Sequence, residues 1–165
     1  MSVSTPPAKP IRAYVDTSVF GGVFDAEFAE HSRGFFRRVE KSEVIVLLGE
    51  TTEQELKGAP ERVRGVLDGL SAEACLRCPT TPAIAELAAA YLRAGVLGPR
   101  WKGDATQVAT ATVHRADVLV SWNFKHIVRF DKVRAFNAVN GGLGYGPVYI
   151  CSPAEVRYGG EVEDL

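Results

Sequence analysis

Residues 103–126 constrain the fold of this chain more than any other stretch of its sequence. Asp104 begins a run of small and β-branched residues at helical spacing, which predicts a helix that can approach a sheet closely. Residues 118–120 have the character of a short strand covered on both faces, and Ser121 and Asn123 follow it. Sites in open α/β sheets lie outside the carboxyl ends of the strands, so the stretch also predicts where a site would be. A helix cap at Asp104 and a polar loop are the structural alternative.

Strands alternate with helices along the rest of the chain. Continuous apolar runs such as 44–48 are typical of strands buried in a parallel sheet. This alternation predicts an α/β fold, a three-layer α/β/α sandwich with a mainly parallel central sheet. We expect strands at 11–15, 43–48, 73–78, 118–120 and 148–151. We expect helices at 25–39, from 51, from 60, from 82 to a closing glycine at 95, from 104 and at 128–139, with a final helical turn at 152–156.

Length and composition favour one soluble domain. A chain of 165 residues with 46% hydrophobic and 24% charged residues is ordinary for a globular protein with its own core. We expect residues 1–10, which contain three prolines, to be a flexible leader, residues 11–158 to form the domain and residues 159–165 to be a frayed acidic tail. No apolar run is long enough for a membrane span. Three cysteines without a signal peptide indicate reduced thiols in the cytoplasm.

Two further patterns have simple structural interpretations. Cys75 and Cys78 have Cys-x-x-Cys spacing, but a structural zinc site needs about four ligands and the third cysteine, Cys151, lies far along the chain. Buried thiols are therefore the favoured interpretation. The glycine-dense residues 140–146 lack the Lys-Ser/Thr of a phosphate-binding loop and precede a strand, so we expect a surface loop there.

Acidic side chains stand at the ends of three predicted elements. Asp16 directly follows the first strand, Glu55 lies in the helix after the second strand, and Asp104 begins the helix before residues 118–120. Carboxylate oxygens scattered in this way are what a divalent-metal hydrolase requires, because Mg²⁺ and Mn²⁺ take oxygen ligands, bind phosphate and lower the pKa of bound water. The structural alternatives are a turn or helix cap at 16–18 and a capping box that joins Thr51 or Thr52 to Glu55.

Basic residues are concentrated in one part of a chain whose formal net charge is −1. Residues 96–134 carry seven lysines and arginines against three acids, a surplus of four. A local surplus of this kind favours the approach of a polyanion, and a solvated face is the alternative. The seven are Arg100, Lys102, Arg115, Lys125, Arg129, Lys132 and Arg134.

The sequence resembles the PIN-domain ribonucleases, and within them the VapC-like toxins of bacterial toxin–antitoxin pairs. The resemblance covers nearly the whole chain, and its most specific part is the run Ser-Trp-Asn-Phe-Lys-His at 121–126. The other matching motifs are Val-Asp-Thr-Ser at 15–18, Glu55-Leu56, Gly-Asp-Ala at 103–105 with its alanine-rich helix, and Ser-Pro-Ala-Glu-Val at 152–156.

The resemblance implies a metal-dependent endoribonuclease, a homodimer that a small antitoxin holds inactive. Asp16, Glu55 and Asp104 match the acidic triad that binds Mg²⁺ or Mn²⁺ in the family. Asn123 stands where many members have a fourth acid, and Gln107 stands where relatives often have histidine. A non-catalytic or weakly active PIN-like module that binds RNA or protein is the alternative. A phosphatase of the haloacid-dehalogenase type is disfavoured, because that chemistry needs a second aspartate two residues after Asp16.

We therefore predict hydrolysis of RNA phosphodiester bonds. Asp16 and Asp104 are expected to hold the metal, and Glu55 to orient the metal or the attacking water. Asn123 and Ser121 are expected to position water or phosphate. The predicted substrate-binding residues are Thr17, Ser18, Ser121, Lys125 and His126.

Overall fold

The computed structural model describes residues 9–156 and residue 158. Most of the predicted leader, residues 1–8, and the whole predicted tail, residues 159–165, lie outside the described residues. None of the helices within the described part combines the length and apolar character that a membrane crossing requires.

The sheet within the described residues has five strands, and every pairing in it is parallel. The strand order is β3-β2-β1-β4-β5, so the first strand lies at the centre. The strands are β1 (Ile11–Val15), β2 (Val44–Gly49), β3 (Cys75–Cys78), β4 (Val118–Val120) and β5 (Ile150–Cys151). The predicted α/β class with a parallel sheet is confirmed.

Helices cover both faces of this sheet. They are α1 (Thr17–Gly22), α2 (Ala29–Glu40), α3 (Glu50–Lys57), α4 (Glu61–Asp68), α5 (Pro82–Arg93), α6 (Lys102–Val113) and α7 (Phe130–Gly142). Short 3-10 turns occupy Ala72–Ala74 and Pro99–Trp101. Thr81 accepts a hydrogen bond from the backbone N–H of Ile84 at 3.4 Å, so the predicted start of α5 at a capping threonine followed by proline is confirmed.

Two hydrophobic cores lie on opposite faces of the sheet. Tyr14 and Leu119 pack into the core beneath α5, α6 and α7, whereas Ala13 and Val15 pack into the core beneath α1 to α4. Successive residues of a strand point to opposite faces, which is why a continuous apolar strand supplies both cores. The predicted three-layer sandwich is therefore what the chain forms.

The capping box that was the structural alternative for Glu55 does not form. The helix begins at Glu50, directly after Gly49, and no side chain caps it. Thr52 is fully buried, and its hydroxyl lies 3.0 Å from Gln107 Oε1 instead of the backbone N–H groups of α3. Thr52 bonds Gln107 on α6 because an unpaired hydroxyl inside the core costs more free energy than a helix start without a side-chain cap.

The glycine-rich run after α7 and the last strand also differ from the prediction. α7 continues through Gly142, because Asn140 is fully buried and hydrogen-bonds Tyr91 in the core. β5 is limited to Ile150–Cys151 because the backbone N–H and C=O of Val148 are both bonded to the side chain of Asn137, at 2.8 and 3.0 Å.

The segment after β1 turns into a helix earlier than the sequence suggests. Gly21 and Gly22 form the end of α1, a helix that was not among those expected. A Cβ atom at Gly22 would come within 2.5 Å of Ser32 Oγ and 2.8 Å of Trp122 Nε1. Glycine therefore allows α1 to approach both α2 and the loop after β4.

Candidate active site

The centre of the sheet contains a topological switch point. The chain passes from β1 outward through β2 to β3, then crosses to β4 on the other side of β1. Such a reversal of strand order opens a crevice at the carboxyl ends of the two strands beside it. Asp16 follows β1 and Ser121 follows β4, and the Asp16 N–H donates to Val120 O at 3.0 Å. The polar residues predicted after these strands therefore lie at this crevice.

Three donors hold the carboxylate of Asp16, which is only 5% exposed. Gln107 Nε2 donates to Oδ1 at 2.8 Å. Ser18 Oγ and Ser121 Oγ donate to Oδ2 at 2.8 and 2.7 Å. Hydrogen bonds to a carboxylate are stronger than those between neutral groups, so these three fix the side chain in one orientation.

Gln107 is itself held by a buried network. Its Oε1 atom accepts hydrogen bonds from the hydroxyls of Tyr14 and Thr52, both at 3.0 Å. Burial raises the pKa of the Tyr14 phenol far above its usual range, so this hydroxyl remains a donor at any physiological pH. With its oxygen engaged twice, the Gln107 amide presents its N–H₂ group to Asp16. The network joins β1, α3 and α6 behind the carboxylate.

Glu55 lies at the exposed rim of the crevice, on α3. Thr17 donates a hydrogen bond from its hydroxyl to Glu55 Oε2. Partial burial raises the pKa of Glu55, the hydrogen bond from Thr17 opposes this, and the negative charges of Asp16 and Asp104 raise it further. The three acids are thus close enough to repel one another electrostatically.

Asp104 enters the crevice from the first turn of α6. Its Oδ2 atom lies 3.0 Å from Nδ1 of His126. Burial raises the pKa of Asp104 and the charge of Asp16 adds to the rise, whereas His126 and a hydrogen bond with Asn123 lower it. Asn123 Oδ1 also accepts the backbone N–H of His126 at 3.0 Å, so Asn123 holds the loop that carries this histidine.

The described residues include carboxylate oxygens that could bind a metal ion, but not a preformed cluster of ligands. Within that part of the chain, no three His, Cys, Asp or Glu side chains form a group that could hold a metal ion as they stand. Mg²⁺ keeps several waters and needs only one or two carboxylates from the protein. The all-oxygen donor set of Asp16, Glu55 and Asp104 therefore fits a hydrated Mg²⁺ or Mn²⁺ ion better than it fits zinc.

The predicted basic surplus is not one surface. Arg115 lies at the amino end of β4, where its carbonyl accepts from Arg12, and the Asp117 carboxylate accepts the Arg12 N–H at 2.9 Å. This end of the sheet is opposite the crevice, because the chain reverses there between α6 and β4. Arg129 pairs with Asp131, Lys132 donates to the Val96 carbonyl and Arg134 lies over Phe130.

Two of the predicted cations do stand near the acids. Arg100 and Lys125 flank the ring of Trp101, with their charged groups 5.2 and 5.8 Å from the ring centroid. Trp101 packs on His126, and His126 contacts Asp104. The positive charge next to the crevice therefore lies around one aromatic side chain.

The three cysteines are free thiols, as the spacing analysis favoured. Cys78 is buried, and Cys75 and Cys151 are partly exposed. Burial raises the pKa of Cys151 to about 11.

Solved structures reveal relatives in fold. No protein-family model matches the sequence, and no curated protein matches it. One similar structure is VapBC2 from Rickettsia felis bound to a promoter DNA fragment. It aligns with a TM-score of 0.55 at 10% identity, over 86% of this chain and 98% of that one. FitAcB from Neisseria gonorrhoeae aligns with a TM-score of 0.54 at 17% identity, over 87% and 99%. The chain has the PIN-domain fold.

A structure of FitAB bound to the IR36 DNA fragment agrees, with a TM-score of 0.56 at 17% identity over 89% of this chain and 99% of the other. These neighbours are toxin–antitoxin complexes. At 10 to 17% identity their likeness to this chain establishes the fold alone.

The residues behind and beside the acids were not predicted as parts of the site. Tyr14 has the local pattern of a strand residue, Thr52 that of a helix cap, and Trp101 stands outside the matching motifs. A glutamine at 107 within an otherwise alanine- and valine-rich helix was the available signal, because a buried amide requires partners.

Proposed function

We propose that this PIN-domain protein is a metal-dependent endoribonuclease that hydrolyses RNA phosphodiester bonds. One observation carries the proposal: Asp16, Glu55 and Asp104 face the same crevice, where partial burial and, in addition, the neighbouring negative charges raise the pKa of Glu55 and of Asp104. Repulsion between like charges in a cleft weakens the fold and is typical of functional sites.

Asp16 and Asp104 are the proposed ligands of Mg²⁺ or Mn²⁺, and Glu55 is proposed to orient the metal or the attacking water. When bound, the metal neutralises phosphate charge and lowers the pKa of water. Thr17 holds the Oε2 atom of Glu55 and leaves Oε1 for the proposed role.

Two predicted substrate contacts take a different form in this proposal. Ser18 and Ser121 use their hydroxyls to hold Asp16, and Ser121 is fully buried. We therefore assign them the positioning of Asp16 rather than contact with phosphate. Asn123, Lys125 and His126 remain the proposed substrate contacts, beside Asp104.

The proposal extends to partners. VapBC2 and FitAB are toxin–antitoxin complexes, so we infer that this chain is the toxin of such a pair and that a small antitoxin controls it. A cluster of three carboxylates would accept a basic side chain of the antitoxin. Homodimer formation and a cytoplasmic location complete the proposal.

A non-catalytic or weakly active PIN-like module that binds RNA or protein is the second candidate. Asn123 favours it, because a neutral amide stands where a fourth acid would complete the ligand set, and its oxygen is engaged by the His126 N–H. Metal-stimulated cleavage separates the two candidates directly.

Cleavage of a mixed RNA pool by the purified protein in Mn²⁺, Mg²⁺ or EDTA tests the proposal. We expect cleavage only with metal, and a loss of at least about 100-fold in rate for Asp104→Asn, because a metal–carboxylate interaction contributes several kcal/mol. Asp117→Asn is the matched control, since it alters a carboxylate at the opposite end of β4. Equal cleavage by wild type and Asp104→Asn would reject the assignment, and absence of cleavage with any metal would favour the binding module.

A further inference from the structure

Trp101 occupies a position beside the candidate active site that the proposed hydrolysis does not use. It ends the short turn Pro99–Trp101 and directly precedes α6, the helix that carries Asp104. Its ring is partly exposed and lies against His126, with the ring centroids 4.0 Å apart and the planes inclined by 39°. Because His126 Nδ1 is 3.0 Å from Asp104, a single side chain separates the indole from the acids.

Two cations accompany this ring. The Arg100 guanidinium carbon lies 5.2 Å and the Lys125 Nζ atom 5.8 Å from the ring centroid. Both residues are exposed, and within the described residues neither forms a salt bridge with an acid. Arg129, by contrast, is paired with Asp131 at 2.7 Å. Arg100 and Lys125 are therefore available to a negatively charged ligand.

An accessible aromatic ring flanked by unpaired cations matches the chemistry of a single-stranded nucleic acid. Every base has an apolar π-face that stacks on an aromatic side chain, and the neighbouring phosphates require positive charge. The cation–π contacts place the guanidinium and ammonium groups over the ring, 5.2 and 5.8 Å from its centroid, so a base that stacks on the indole would bring its flanking phosphates near these charges.

We propose that Trp101 stacks on an unpaired base of the RNA substrate, next to the phosphodiester that is cleaved, and that Arg100 and Lys125 contact the flanking phosphates. This inference rests on the proposed function for the identity of the ligand. It makes Trp101 a substrate-binding residue that selects an unpaired nucleotide beside the cleaved bond, because a base within a duplex cannot present its face to the ring.

Binding of a labelled single-stranded oligouridylate, measured by fluorescence anisotropy in EDTA, tests this inference without cleavage. Trp101→Leu keeps apolar packing but removes the aromatic face, and we expect its Kd to rise about 5- to 150-fold. Trp101→Phe should restore most of the affinity. Phe24→Leu is the matched control, because Phe24 has an arginine 5.2 Å from its ring but lies in the loop after α1.

A second measurement varies the oligonucleotide and compares the wild-type protein with Trp101→Leu. An abasic position moved along the oligonucleotide should weaken binding at one site, and that loss should disappear in Trp101→Leu if the two groups stack. Absence of any sensitive position, or an unchanged Kd for Trp101→Leu, would overturn the stacking role.

Cleavage assays in Mn²⁺ separate the failure of this inference from failure of the proposed function. Metal-dependent cleavage with an unchanged Kd for Trp101→Leu rejects the stacking role and keeps the ribonuclease. Base-dependent binding through Trp101 without cleavage supports the stacking role and rejects the ribonuclease. If the wild type neither binds nor cleaves RNA, both fail.

Discussion

At the scale of single residues, burial and nearby negative charge both raise the pKa of Glu55 and of Asp104. Asp16 is fixed by three hydrogen bonds, and Glu55 and Asp104 then meet its negative charge at the same crevice. A carboxyl group whose pKa is higher in the folded protein than in the unfolded chain binds its proton more tightly when folded. Its contribution to stability is therefore present at low pH and is lost as pH rises through the interval between the two pKa values.

Replacement of Glu55 by glutamine tests the raised pKa of this carboxyl group. We expect Glu55→Gln to become more stable relative to wild type as pH rises from about 4 to 7, so that the difference in free energy of unfolding between variant and wild type increases. The reason is that only the wild type ionises at this site. Urea unfolding in EDTA at constant ionic strength measures the difference. Glu86→Gln, at an exposed position of α5, is the matched control for the amide substitution. A flat difference for Glu55→Gln would contradict the raised pKa of Glu55.

Elements are joined behind the site by buried polar contacts. Tyr14 on β1, Thr52 on α3 and Gln107 on α6 form one network that ends on Asp16. Tyr14, Thr52, Gln107 and Asp16 are at most 5% exposed, so water cannot supply their hydrogen bonds and the side chains depend on one another for partners. The network therefore sets the position of the carboxylate relative to both helical layers.

Gln107→Leu should disrupt this arrangement while keeping a similar side-chain size. The substitution removes the 3.0 Å acceptor of the Tyr14 and Thr52 hydroxyls and the donor to one oxygen of Asp16. The hydroxyls keep only the longer contacts of 3.5 Å with each other and 3.4 Å from Thr52 to the Val15 carbonyl, so we expect the free energy of unfolding to fall by about 2–5 kcal/mol. Chemical denaturation measures this change. Gln54→Leu, at an exposed position of α3, should change stability by less than about 0.5 kcal/mol, and a similarly small effect at Gln107 would show that the network is dispensable.

At the scale of the whole molecule, a parallel sheet between two helical layers gathers residues from distant parts of the chain. Asp16, Glu55 and Asp104 come from three different helix–strand units, and they meet because parallel strands place their carboxyl ends at one edge. A metal ion bound there would offset their repulsion in the folded state only. Metal binding should therefore appear as increased stability of the entire domain.

Thermal unfolding with and without Mn²⁺ tests this coupling. At a metal concentration of about 100 times Kd, stabilisation of about 2.7 kcal/mol corresponds to a rise in Tm of about 5–10 °C for a chain of this size. Asp104→Asn should lose most of this rise, whereas Asp117→Asn should retain it. No rise in the wild type would reject a metal site formed by these carboxylates.

The sequence alone predicted the fold class and all five strands to within two residues at each end, and it offered the three acids as site candidates. These features depend on local patterns, because a buried parallel strand must be apolar on both faces and a site residue must follow it. The start of α5 was equally local, since Thr81 and Pro82 satisfy the first turn without distant partners. The resemblance of the motifs extended this to the PIN fold.

Which polar side chains form hydrogen bonds inside the core and which line the crevice depends on how the whole chain packs. Thr52 and Asn140 had strong local interpretations, a cap and a loop, but burial requires hydrogen-bond partners that lie far away in sequence. Packing also explains why the basic residues of 96–134 do not form one surface. Arg115 lies between the end of α6 and the start of β4, whereas Lys125 follows the end of β4. Distances between groups that are remote along the chain are set by packing, and local patterns carry no information about them.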